Sequence, residues 1–332
     1  MNETTFDLLA LPKKTFSRIG WAMCVILLVA TLVSGLWLGI PEAFADADSW
    51  FHTSSTWMWL GITVPLYLVA IPLGLLILRK LPAQKPEEQK LSVKEFILFI
   101  PMCFCLMYGG NILGTLLSLG LSGGTAENVL TDYIMDNNIW KLLATVIMAP
   151  IMEEWLCRKL IIDRARQYGE KVAVFLSAFV FGLLHQNLFQ FFYAFALGML
   201  FAYIYIRTGR LRYPILLHGM VNFLGAIVAP WILSLVDMAA MENLDPNASL
   251  EELAEAMTQI MPGYLVMMLY VAALLGLSIW GLVLLLRRRK RFLWKEAESQ
   301  IRKGTGFKTV CLNGGMIVYI LLCLAAMVVS LL

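Results

Sequence analysis

Residues 262–291 read PGYLVMMLYVAALLGLSIWGLVLLLRRRKR, an apolar run of 25 residues followed by five basic ones. A helix of about 20 apolar residues is long enough to cross the roughly 30 Å hydrocarbon core of a membrane. The same character extends through the chain, because 60% of its 332 residues are hydrophobic and its mean hydropathy is +0.75. We therefore predict an integral membrane protein rather than a soluble globular domain.

Similar apolar runs recur along the chain and predict about nine membrane-spanning helices. Helices are expected because an open sheet leaves backbone N–H and C=O groups unpaired in lipid, and the alternating pattern of a membrane barrel is absent. The predicted fold class is all-α, a polytopic transmembrane helical bundle. The predicted spans are 19–41, 56–78, 95–121, 138–162, 171–187, 189–206, 213–236, 262–286 and 309–331.

The basic residues predict the orientation of this bundle. If the N-terminus is cytosolic and the spans alternate in direction, every Lys and Arg except Lys141 lies on the cytosolic side or at an adjoining helix end. The opposite loops, 42–55, 122–137 and 237–261, carry acidic residues but no Lys or Arg. This asymmetry predicts a multi-pass protein with a cytosolic N-terminus, in the plasma membrane if the source is bacterial. The lipid bilayer is its expected surroundings, and no nucleic-acid partner is expected for a basic run that adjoins a span.

The predicted organisation has five parts. The fourth part, the acidic segment 237–261, is expected to be a solvated loop, or alternatively a short amphipathic helix capped by Asn247 or Ser249. The six cysteines all lie in predicted spans, which favours apolar packing over disulfides or zinc binding. The parts are a cytosolic or interfacial N-terminal segment (1–18), N-terminal transmembrane helices (19–137), a candidate catalytic core (138–236), an extracytosolic acidic loop (237–261) and C-terminal transmembrane helices with a basic cytosolic loop (262–332).

Charged side chains inside the predicted core suggest a functional site. Residues 149–160 read APIMEEWLCRKL, which places Glu153, Glu154 and Arg158 within the fourth predicted span. Each charged residue at the centre of a membrane helix costs about 2.5–3.5 kcal/mol, so such residues mark functional sites by default. Glu154 and Arg158 are four residues apart and are expected to pair on one helical face, whereas Glu153 points about 100° away. The alternative is a salt bridge at the end of a membrane helix.

Two of the three histidines also lie in apolar spans. His185 follows Phe181 by one turn, and His218 precedes Asn222 by one turn. At 1.5 Å per residue from the cytosolic helix ends, Glu153 and Asn222 both lie about 14 Å deep, His185 about 21 Å and His218 about 8 Å. These depths are compatible with one water-filled chamber that opens to the cytosol.

These side-chain types fit the hydrolysis of an amide bond by water. A carboxylate and an imidazole can deprotonate water, while a histidine and an asparagine can donate hydrogen bonds to the developing oxyanion. The same atoms fit a Zn²⁺ site in which Glu153, His185 and His218 are the ligands and water takes the fourth position. The sequence leaves both mechanisms open, although it contains no HExxH pattern.

The pattern Glu153-Glu154-x-x-x-Arg158, Phe181-x-x-x-His185 and His218-x-x-x-Asn222 resembles the signature of the CPBP family. This family contains the CAAX prenyl endopeptidases of the Ras-converting type and bacterial bacteriocin-processing and immunity proteins. The resemblance covers roughly residues 138–236 and implies an intramembrane endopeptidase, either metal-dependent or glutamate-dependent.

The resemblance also implies a role for each residue. Glu153 and His185 would activate water, while Glu154 and Arg158 would support and orient the site. His218 and Asn222 would stabilise the oxyanion. Phe181, the remaining residue of the pattern, would pack within the site or contact the substrate.

Two other functional classes fit the same buried polar residues. One is a proton-coupled transporter that relays protons through Glu, His and Arg, although the chain lacks paired halves with broken helices in matching positions. The other is a non-catalytic membrane scaffold or immunity protein. The expected partner of the protease is a peptide or membrane-protein substrate, either a prenylated C-terminal tail or a leader peptide, and the sequence does not predict an oligomeric state.

Overall fold

The computed structural model describes residues 3–46, 49–128, 138–236, 249–297 and 299–331, and within these ranges the chain is all-helical without a strand. The predicted fold class is therefore confirmed. The nine longer helical segments of this part of the chain are numbered in order: α1 Glu3–Phe44, α2 Ser55–Leu78, α3 Val93–Leu121, α4 over 139–165, α5 Glu170–Leu184, α6 Leu188–Thr208, α7 Arg212–Leu233, α8 Leu250–Arg288 and α9 Gly314–Val329.

The prediction of about nine membrane spans is not confirmed, although a helical segment overlaps each predicted span. Within the described residues, six helices are long and apolar enough to cross a membrane: Leu11–Phe44, Ser55–Leu78, Val93–Leu121, Leu188–Thr208, Arg212–Leu233 and Leu250–Arg291. The charged residues of α4 interrupt its apolar run, and α5 and α9 have only 15 and 16 residues. Short helices occupy Trp50–Thr53, Arg166–Tyr168, Arg289–Arg291 and Gly306–Cys311.

The predicted solvated loop is wrong over residues 250–261, which form the beginning of α8, whereas the alternative of a helix capped by Ser249 is confirmed. Ser249 accepts a hydrogen bond from the backbone N–H of Glu252, and the Glu252 side chain accepts one from the backbone N–H of Ser249. This capping box satisfies N–H groups that have no partner within the helix, so α8 begins here rather than at residue 262. Asn247, the other predicted cap, lies outside the described residues.

Helix α5 is short and lies at the centre of the bundle. Ten of its 15 residues are buried, and its length of about 22 Å is less than the roughly 30 Å of membrane hydrocarbon. It ends at Leu184 instead of the predicted residue 187. Gln186 follows with φ +50°, and the Asn187 side chain caps α6 by accepting from the backbone N–H of Phe189 at 2.8 Å. Non-helical backbone at membrane depth is tolerated where protein surrounds it or water fills a cavity beside it.

Two glycines of α3 allow this helix to pack closely against α6. A Cβ atom on Gly110 would collide with the backbone of Tyr193, and one on Gly114 would lie 2.7 Å from the carbonyl oxygen of Phe189. The spacing of four residues places both glycines on one face of α3, as in the small-residue interfaces of membrane helices. The backbone of α6 is thereby held against α3.

Four π-helical turns interrupt α2, α4 and α7, over Pro65–Ala70, Leu143–Met148, Trp155–Ile162 and Leu224–Val228. A π-helical turn shifts the backbone hydrogen bonds by one residue and often lies at a functional site. On α4, Glu153 and Glu154 lie between two of these turns and Arg158 lies within the second, while Asn222 on α7 comes just before a third. The turns therefore surround one region of the bundle.

Candidate active site

Glu154 and Arg158 form a fully buried ion pair, as their spacing predicts. The Arg158 Nε donates to Glu154 Oε2 at 2.7 Å and its Nη2 donates to Oε1 at 3.0 Å, and both side chains are 0% exposed. The remaining arginine nitrogen, Nη1, donates to Ser177 Oγ on α5 at 2.8 Å, and Ser177 in turn donates to the carbonyl of Cys157. This two-bond arrangement is the strong geometry for an arginine and a carboxylate. It fixes α5 against α4 at the level of the two glutamates.

Glu153 has different surroundings from its neighbour. Its side chain is 20% exposed. The hydroxyl of Tyr67 on α2 donates to Glu153 Oε1 at 3.3 Å, and His218 Nε2 lies 4.0 Å from its Oε2. Adjacent residues of a helix point about 100° apart, so one carboxylate enters the ion pair and the other faces the space toward α5 and α7.

His218 lies between the two carboxylates. Its Nδ1 is 3.2 Å from Glu154 Oε1, and its Nε2 is 4.0 Å from Glu153 Oε2. A carboxylate oxygen accepts, so His218 Nδ1 carries the proton of the shorter contact. The imidazole also stacks on Phe201 of α6, with ring centroids 5.8 Å apart. Helices α4, α6 and α7 together fix this ring.

His185 occupies the C-terminal end of α5. Its Nδ1 lies 2.8 Å from the carbonyl oxygen of Phe181, and a carbonyl oxygen can only accept, so Nδ1 carries the proton of this bond. In the neutral ring Nε2 therefore has the lone pair. Phe181 contacts both this imidazole and that of His218, which lies beside Glu153. The end of α5 thus presents a basic nitrogen to the same region as the exposed carboxylate.

Phe181 packs between the charged and aromatic groups of the site. Its ring makes edge contacts with both imidazoles, at centroid distances of 5.2 Å for His185 and 5.5 Å for His218, and the Arg158 guanidinium lies 4.8 Å over it. The side chain is only 2% exposed. Of the two roles predicted for Phe181, packing within the site agrees with this burial, whereas contact with a substrate does not.

Asn222 is held by a carbonyl group that a π-helical turn leaves free. Its Nδ2 donates to the carbonyl oxygen of Thr145 at 2.8 Å. In a regular helix that oxygen would accept from the N–H of Ala149, but Ala149 bonds to Ala144 instead. The next residue, Pro150, has no N–H to offer. The proline and the π-helical turn therefore create an acceptor for Asn222, whose second amide hydrogen stays available.

The structure brings the predicted residues Glu153, Glu154, Arg158, Phe181, His185 and His218 together through the contacts above, and Asn222 joins them one turn along α7. Neither of the two cavities described below is the predicted water-filled chamber. Two described cavities lie elsewhere: one of about 380 Å³ beside Phe51 and Trp57, and one of about 310 Å³ beside Lys159 and Arg210. Water near the site is therefore expected at the exposed part of Glu153.

The described residues do not fit the predicted zinc site. No group of three His, Cys, Asp or Glu side chains in this part of the chain is arranged to hold a metal ion. The Nδ1 atoms of both predicted histidine ligands are already engaged, because that of His185 binds the Phe181 carbonyl and that of His218 contacts Glu154. We therefore derive no reaction step through a metal.

Several residues of the site were missed by the sequence analysis. Ser177 lies one turn before Phe181 on the same face of α5, so its position in an apolar helix was a usable signal. Tyr67 and the Thr145 carbonyl gave no such signal, since one is 86 residues from Glu153 and the other is a backbone atom.

Two comparisons with known proteins point to membrane peptidases. The family model described as "Type II CAAX prenyl endopeptidase Rce1-like" matches residues 135–224, which include every predicted site residue. A Bacillus subtilis (strain 168) protein named "Putative membrane peptidase YdiL" is 27% identical over 185 residues, or 53% of this chain and 72% of the relative. No solved structure matches the chain. The buried Glu-Arg pair, the neighbouring Glu153 and the two histidines thus lie in the region of the chain that is similar to the Rce1-like family.

Proposed function

We propose that this chain is an intramembrane endopeptidase in which Glu153 and His185 activate water. The observation that carries the proposal is the contrast between the adjacent glutamates. Glu154 accepts from Arg158 and from His218 and has no exposed surface, whereas Glu153 has one hydrogen bond and is partly exposed. A partly exposed carboxylate beside an imidazole is suited to accept a proton.

His185 complements Glu153 in the first step. Because its Nδ1 donates to the Phe181 carbonyl, its Nε2 is the nitrogen free to accept a proton. Water bound between this nitrogen and Glu153 would lose a proton to Glu153 as its oxygen attacks the carbonyl carbon of a peptide. The same proton would then pass to the leaving amine, and the C–N bond would break.

The negative charge on the attacked carbonyl oxygen requires donors. Asn222 has one amide hydrogen on Thr145 and a second to offer. His218 can donate through Nε2 when both of its nitrogens are protonated, since its Nδ1 already contacts Glu154. One such donor contributes about 2.7–4 kcal/mol to transition-state stabilisation. Arg158 is fully buried in its ion pair with Glu154, so it does not contact the substrate.

The substrate class follows from the position of the site. The catalytic groups lie on helices that are buried in a membrane bundle, so the substrate is a peptide or a membrane-associated protein whose cleaved segment reaches α4, α5 and α7. A prenylated C-terminal tail and a leader peptide both meet this requirement. We further propose that the N-terminus and the entrance are cytosolic, in the plasma membrane if the source is bacterial, and that no metal takes part.

The experiment is a peptide-library cleavage assay on the purified protein in lipid vesicles, with products identified by mass spectrometry. Glu153→Gln, His185→Asn and His218→Asn should each abolish cleavage while the protein remains folded. Glu296→Gln is the matched control, because Glu296 is exposed in the cytosolic segment after α8. Cleavage that persists in all three variants would refute the proposal.

The same preparation separates the rival functions. A proton-coupled carrier would produce a pH-dependent flux across the vesicle membrane and no cleaved peptide. A scaffold or immunity protein would retain its biological effect in cells after Glu153→Gln, since that change preserves the shape of the side chain.

A further inference from the structure

The helix that contacts Glu153 lies outside the family domain. The Rce1-like match begins at residue 135, whereas Tyr67 belongs to α2, Ser55–Leu78. Its hydroxyl donates to Glu153 Oε1 at 3.3 Å and its side chain is 5% exposed. The carboxylate that we propose as the proton acceptor thus has its hydrogen bond from a flanking helix.

The position of Tyr67 is built into the packing of α2 against α4. Near the start of both helices, the Asn138 side chain donates to Thr56 Oγ1 at 3.0 Å. One face of α2 is buried, including Ala70 and Ile71 in the core of the bundle. Pro65 opens the π-helical turn that carries Tyr67, and a proline disturbs the regular hydrogen bonds of a helix by lacking an N–H. The local backbone therefore sets the direction in which the tyrosine points.

We propose that Tyr67 is a positioning residue for Glu153, an inference that rests on the proposed function. With Oε1 held by the tyrosine, the plane of the carboxylate is fixed and Oε2 faces His218, 4.0 Å away. Groups that are held in the productive geometry before reaction lower the activation barrier. A phenol does this without adding a charge to the site, so Glu153 stays the acceptor.

Removal of the hydroxyl should lower kcat and leave KM unchanged, because Tyr67 acts through Glu153 rather than on the substrate. A hydrogen bond to a charged group is worth about a 10- to 100-fold change, and the length of 3.3 Å favours the lower end. We expect Tyr67→Phe to reduce kcat about tenfold. Replacement of Tyr67 with 4-aminophenylalanine, which keeps a donor at the same ring position, should restore most of the loss.

Tyr319→Phe is the matched control. Tyr319 is fully buried in α9, and among the described residues its hydroxyl has no oxygen or nitrogen partner within hydrogen-bonding distance. The same atom is removed from an equally buried ring, so kcat should stay within about twofold of wild type. Thermal unfolding of each variant shows whether an effect on kcat arises from loss of the fold.

The outcomes separate this inference from the proposed function. If the wild-type protein shows no cleavage that depends on Glu153, the proposed function fails. If the wild type cleaves and Tyr67→Phe keeps full kcat, or raises KM alone, only the positioning role of Tyr67 is overturned. A loss in Tyr67→Phe that 4-aminophenylalanine does not restore also overturns it. A drop in kcat with rescue and an unchanged Tyr319→Phe supports it.

Discussion

Replacement of each adjacent glutamate by glutamine should affect the stability of the protein to very different extents. Glu154→Gln leaves the Arg158 charge buried at 0% exposure without its counter-ion. Breaking a buried pair in this way costs about 3–5 kcal/mol, a large share of the roughly 5–15 kcal/mol that stabilises a typical fold. Glu153→Gln leaves the ion pair of Glu154 with Arg158 intact. It weakens one hydrogen bond of 3.3 Å at a partly exposed side chain, so its cost should stay below about 1 kcal/mol.

The assay is unfolding of both variants in the same detergent, followed by tryptophan fluorescence, with cleavage measured on the same samples. We expect Glu154→Gln to be strongly destabilised and Glu153→Gln to be inactive but almost as stable as wild type. The double variant Glu154→Gln with Arg158→Met should recover part of the lost stability, because it leaves no buried charge unpaired. Equal destabilisation by the two single glutamine variants would refute the distinction between an anchoring and a reacting carboxylate.

Three further predictions concern packing, the oxyanion and metal. Gly110→Ala should lower the unfolding temperature because its Cβ collides with the Tyr193 backbone, whereas Gly109→Ala, whose Cβ meets nothing within 4 Å, should leave it unchanged; equal effects in a thermal scan would contradict this. Asn222→Asp replaces the amide that donates to the Thr145 carbonyl, so kcat should fall about 10²–10³-fold with a smaller change in KM, and an unchanged kcat would exclude a role in oxyanion binding. Chelator treatment followed by metal analysis should leave cleavage unchanged, because the described residues provide no three-ligand site; activity that is lost and then restored by added Zn²⁺ would reverse our proposal.

The sequence predicted the side chains of the site better than the boundaries of the helices. Glu154 and Arg158 share a helical face through their spacing alone, and the apolar surroundings of His185 and His218 made both residues conspicuous. The end of α5 was placed three residues too late, because the sequence that follows Leu184 contains no proline or glycine to mark a helix end. A positive φ at Gln186 ends the helix instead, and glutamine gives no sign of that conformation.

The contacts that complete the site depend on tertiary packing and backbone register. Asn222 binds a carbonyl that is free only because a π-helical turn at 143–148 meets Pro150. Sequence periodicity cannot show a shift of one hydrogen-bond step. The start of α8 at Ser249 was predicted only as an alternative to a loop, since the acidic residues that follow favour a loop by composition but a capped helix by position.

Helix α8 has a consequence for the shape of the protein outside the membrane. Its 39 residues make a rod of about 58 Å, whereas a bilayer with its headgroups is about 40–45 Å thick. At the common tilt of about 20° it still rises about 55 Å, so with Arg287 and Arg288 at one surface its acidic first turns stand clear of the opposite one. That protruding end would be the first part of this helix to meet an added protease or antibody on sealed vesicles.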